Sequence, residues 1–106
     1  MAKIINVSRI NSAAKLANVS LEKRFWCYDG SVLQNLAELK SALETMNDEV
    51  FNYHVNDYKN DFSRWVKDVI GDNKLAKDLQ KSNNQTQAAR AVSDRITRLK
   101  NKKEMD

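Results

Sequence analysis

The 106-residue chain holds only two glycines, one cysteine, one histidine and no proline. Average usage for this length is about seven glycines and about five prolines. Sandwiches and barrels rely on those residues for their many tight turns, so an all-β fold is excluded, as is a glycine-cradled phosphate loop. A lone Cys27 permits no internal disulfide, and with a lone His54 it cannot build a structural zinc site. No run approaches the ~18 apolar residues of a membrane helix, and the N-terminus lacks the apolar core of a signal peptide. A cytoplasmic location and no membrane partner are expected. The acidic residues lack the calcium-loop pattern, so neither metal nor cofactor is expected.

What is present is charge, unevenly placed. The formal net charge is +4. Residues 1–20 carry Lys3, Arg9 and Lys15 without an acid, residues 21–80 are mildly acidic, and residues 81–106 are basic again. A domain-wide basic face is therefore not expected.

The periodicity predicts an all-α single domain over 1–106, a small orthogonal bundle of five or six short helices. A first helix spans 7–18, with Val7, Ile10, Ala14 and Ala17 inward. The stretch 24–28, Arg-Phe-Trp-Cys-Tyr, reads as a short extended segment that lies along the helices or pairs with another chain; a short helix begun at Ser20 competes. A helix over 32–46 places Val32, Leu36, Leu39, Leu43 and Met46 in one stripe, and the Asn35–Glu38 capping box marks Leu36 as a possible start of its regular part. Asn47-Asp48 caps the next, through Val55. Phe62, Trp65, Val66, Val69 and Ile70 give a full stripe over 61–70, which Gly71 ends. Asp72 caps a helix with Leu75, Ala76 and Leu79 inward. A basic C-terminal helix over 86–103 turns Ala89, Val92, Ile96 and Leu99 inward, and 1–6 and 101–106 are expected to fray.

His54 is the one side chain suited to acid–base chemistry near neutrality. As a base it would work with Asp57, Asn60 and Asp61; as structure it would join two helix ends, which is the preferred reading because no nucleophile lies beside it. Cys27 reads as a small buried hydrophobe. The aromatics Phe25, Trp26, Tyr28, Phe51, Tyr53, Tyr58, Phe62 and Trp65 suit a single-strand stacking platform only if cations interleave them. The charges over 51–65 cancel, so core packing is preferred.

The last helix carries the strongest functional signal. Arg90, Arg95, Arg98, Lys100, Lys102 and Lys103 face a single acid, Asp94, before Glu104. They suit a nucleic-acid backbone first and an acidic protein surface second. Docking on the chain's own acidic middle is the competing explanation.

Phe-Trp-Cys-Tyr-Asp-Gly at 25–30, Asn-Leu-Ala-Glu-Leu at 35–39, Tyr-His at 53–54, Lys-Asn-Asp-Phe-Ser-Arg-Trp-Val at 59–66 and Asp-Asn-Lys-Leu-Ala at 72–76 occur in order. Over about residues 25–79 this resembles the prokaryotic domain of unknown function numbered 5752. The resemblance implies that Tyr53, His54, Asn60, Asp61, Phe62 and Trp65 form one shared, structural constellation, and it leaves the basic helix outside the matched stretch. The expectation is a non-enzymatic binding module. The alternatives are a small enzyme or sensor centred on His54, Asp57, Asn60 and Asp61, and a homo-oligomer that assembles through the Ala89–Leu99 seam.

Overall fold

The computed structural model describes residues 7–104. Its helix content is 68%, in six helices, and two small antiparallel ribbons accompany them. The fold is mostly helical but not all-α.

Helix α1 (Val7–Leu16) packs chiefly against the last helix. Its buried side is set by Ser12 and Leu16, while Ala14 and Ala17, expected inward, are exposed. Alanine offers little area to bury, and Leu16 packs against the core instead. Ser20 precedes a single 3₁₀ turn, Leu21–Lys23.

Strand β1 (Phe25–Trp26) finds its partner within the chain. It pairs with β2 (Val32–Leu33), Phe25 opposite Leu33 and Trp26 opposite Val32. The Cys27 amide bonds the Ser31 carbonyl at 2.8 Å, and Gly30, at φ 91°, makes the turn. Val32 was expected in a helix because its four-residue step to Leu36 imitates the helical stripe. The helix actually starts after its cap: Asn35 accepts from the Glu38 amide at 2.8 Å, and Glu38 reaches back to the Gln34 amide at 2.9 Å. Helix α2 (Leu36–Thr45) then buries Leu36, Leu39 and Leu43.

Asn47 caps α3 (Asp48–His54) by accepting from the Val50 amide. Val55 is extended instead of closing that helix, and β3 (Val55–Asn56) pairs with β4 (Lys59–Asn60). The Asn56 side chain accepts from the Tyr58 amide, an Asx turn that stops helical propagation. Asn60 caps α4 (Asp61–Trp65). The next turn, Val66–Ile70, widens to π geometry, and the Val66 carbonyl accepts from both Gly71 and Asp72. Gly71 lies at φ 81°, the left-handed exit expected of it.

Asp72 caps α5 (Asn73–Lys81), and α6 (Gln85–Glu104) follows. Gln85 donates to the carbonyls of Leu43 and Met46, so α6 begins at the end of α2 and packs along it. Its apolar side, Ala88, Ala89, Val92, Ile96 and Leu99, is buried in the one core cluster. The helix runs on through 101–104, which were expected to fray; 1–6 and 105–106 lie outside the described residues. Among the described residues, no helix is long and apolar enough to cross a membrane.

Candidate functional site

The basic helix divides into an inward and an outward set. Arg90, Arg98, Lys100 and Lys102 are exposed. Arg98 and Lys102 stand one turn apart, on the stripe that also carries Arg90 and Asp94. Lys74 and Arg90 edge a shallow groove of about 280 Å³ between α5 and α6, with Arg98 along it. The side chain of Lys103 falls outside the described set.

Arg95, expected among the cations that meet an anionic partner, faces in. Its Nε donates at 2.7 Å to the carboxylate of Asp72, which has no exposed surface. The other Asp72 oxygen accepts from the Leu75 amide at 3.1 Å. Burial pushes the Asp72 carboxyl up, but the bonds from Arg95 and Leu75 outweigh it and hold the group below the ordinary aspartate range. One carboxylate thus caps α5 and fastens α6. The competing explanation, α6 docked on its own domain, holds for this arginine and for the Ala89, Val92, Ile96 and Leu99 seam. That seam is already covered by the chain itself.

The second constellation is a hydrogen-bonded joint. His54 is only 3% exposed, with the rings of Phe25, Tyr53 and Phe62 at 5.0, 5.0 and 5.1 Å. The Tyr28 amide donates to Nε2 at 3.0 Å. A backbone amide can only donate, so Nε2 is the acceptor and Nδ1 carries the proton it gives to Asp61 Oδ2 at 3.0 Å. The lone pair a general base would use is therefore occupied. Asp61 also accepts from Lys59 at 2.9 Å. Burial raises its pKa, yet the bonds from Lys59 and His54 leave it lowered.

The other expected partners do not converge on the imidazole. Asn60 spends its side chain on the Ser63 amide and the Leu79 carbonyl, and Asp57 is exposed in the hairpin turn. Trp65 packs edge-on against Phe25 and donates its indole N–H to the Lys23 carbonyl at 2.8 Å. Cys27 is buried, and burial pushes its thiol up. Among the described residues, no cluster of metal-ligating side chains occurs.

Sequence reasoning missed Phe25 as the centre of the aromatic cluster, the Tyr28 amide as a histidine ligand, and Asp72 as the partner of Arg95. For Asp72 a signal existed: a capping aspartate next to a glycine exit is drawn close to the core. The eight aromatics split into two sets, which a common core had not anticipated. Phe25, Phe51, Phe62 and Trp65 are buried, whereas Trp26, Tyr28, Tyr53 and Tyr58 are exposed.

The order of these pieces, from the Phe25 strand through the His54 joint to α6, is matched by a family model described as a family of unknown function (DUF5752), over residues 25–98. The chain belongs to the DUF5752 family. No curated protein and no solved structure matches it. The DUF5752 match extends beyond residue 79, where the resemblance was expected to stop. It takes in Arg90, Arg95 and Arg98 and leaves out Lys100, Lys102 and Lys103.

Proposed function

We propose that this DUF5752 protein is a non-enzymatic, cytoplasmic binding module that engages an anionic partner, nucleic acid first, through the outer side of α6. The observation that supports this is the exposure of Arg90, Arg98, Lys100 and Lys102 on a helix whose seam and inward arginine are already used by the chain. The ion pair between Arg95 and Asp72 fixes the helix, so the outward cations are presented on a rigid support. Rigid cations lose less freedom on binding phosphates than cations on a mobile tail.

Titration of labelled nucleic acid at several salt concentrations tests this. Affinity should fall steeply with salt, and each of Arg98→Ala and Lys102→Ala should shallow the log–log slope by about 1. An acidic polypeptide such as polyglutamate, bound in preference to nucleic acid, would assign the surface to an acidic protein partner. Binding indifferent to salt and to both substitutions would sink the proposal.

A further inference from the structure

The exposed aromatics carry a second, separate surface. Along the extended stretch from Arg24, side chains alternate: Phe25 and Cys27 are buried, while Trp26 and Tyr28 are exposed and Arg24 is partly so. Trp26 therefore stands on the outer side of β1, with Arg24 just before the strand and Tyr28 in the turn that follows it. The Arg24 Nε is itself buried and has no hydrogen-bond partner, while the residue as a whole stays partly exposed at the edge of the aromatics.

Tyr28 also ends a column. Its ring stacks on Tyr53 at 4.3 Å and 19°, and the Lys59 ammonium stands 4.4 Å from the Tyr53 centroid. Two neighbours that close cannot share one side of a ring. The order is therefore Lys59, Tyr53, Tyr28, and Tyr28 at the end of the column is 55% exposed. The column is braced from beneath, because the Tyr28 amide is held by His54 and Lys59 by Asp61. The nearby acid Asp29 is turned into its own loop, where it accepts from the Ser31 amide and hydroxyl at 2.9 and 2.7 Å.

We infer that Arg24, Trp26 and Tyr28 form a stacking platform for single-stranded nucleic acid, with unpaired bases on Trp26 and Tyr28 and the backbone beside Arg24. Over 51–65 the interleaved charges cancel, whereas Arg24 adjoins Phe25 through Tyr28 with no acid among them. Duplex bases are already stacked and offer no free ring, so the platform selects single strands. This inference rests on the nucleic-acid reading above and narrows it.

The two tryptophans make the test direct, since Trp26 is 68% exposed and Trp65 is 6% exposed. A short oligothymidylate should quench the emission of the full chain, and a duplex of equal length should bind more weakly. Trp26→Ala and Tyr28→Ala should each weaken single-strand binding by about 5- to 100-fold, leaving the salt slope nearly unchanged. Both side chains are exposed, and circular dichroism checks that each variant folds. Equal affinity for single strand and duplex, or full affinity in both aromatic variants while Arg98→Ala weakens binding, overturns the platform and keeps the α6 reading. If neither nucleic acid binds, both fall together.

Discussion

At the residue scale, the titratable groups drawn away from solvent hold elements together. Asp61 and Asp72 both lie below the ordinary aspartate range when folded. On acidification the unfolded chain takes up protons first, so these two groups contribute fully above about pH 5 and their contribution is lost as pH falls through their folded values. Urea unfolding across that range should show a fall in stability, and Asp72→Asn should flatten it. Asp72→Ala goes further, leaving Arg95 buried without its counter-charge, and should cost about 3–5 kcal/mol in the same measurement. Cys27 gives a separate expectation. A thiol that is buried and pushed up in pKa reacts slowly, so alkylation by a neutral maleimide should be slow in buffer and rise sharply through the unfolding transition. Of this scale, the sequence favoured His54 as the joint between two helix ends. It could not show that Arg95 turns inward, because one arginine on a basic stripe resembles its neighbours until a buried carboxylate is placed beneath it.

At the element scale, the caps were legible, and so was the extended stretch at 24–28 that holds β1, but the other short strands were not. Asn35, Asn47, Asn60 and Asp72 each accept from the amide three residues on, as their side-chain chemistry suggested. Alternation marked only β1; the other strands are two residues each, and Val32 and Val55 each sit at a helical interval from the neighbouring stripe. Tertiary pairing decided those positions. The π turn at Val66–Ile70 was equally hidden, since Phe62 to Ile70 reads as one uninterrupted helix. Its exit depends on Gly71, where a methyl group would meet nothing within 4 Å but the backbone is left-handed. Gly71→Ala should therefore cost about 1–2 kcal/mol, purely from conformation, and Gly71→Asn less, as measured by thermal unfolding.

At the scale of the whole molecule, the sequence indicated one all-α unit whose basicity sits at its ends, and the structure makes it mostly helical with two short ribbons. The wider reach of the family match and the docking of α6 change the meaning of that charge: the last helix is part of the fold as well as its most basic surface. Three bonds close long loops, from Trp65 to Lys23, from Gln85 to Leu43, and from Tyr28 to His54. None could be read from local pattern, because each needs two distant stretches to meet. The last of them has an experimental consequence. An amide bound to an imidazole nitrogen instead of a carbonyl exchanges its proton with solvent only when the joint opens. In deuterated buffer, the lifetime of the single Tyr28 amide proton therefore measures how often strand and helix part company in the native state. Asp61→Ala should shorten that lifetime while leaving the amides buried within α2 as slow as before.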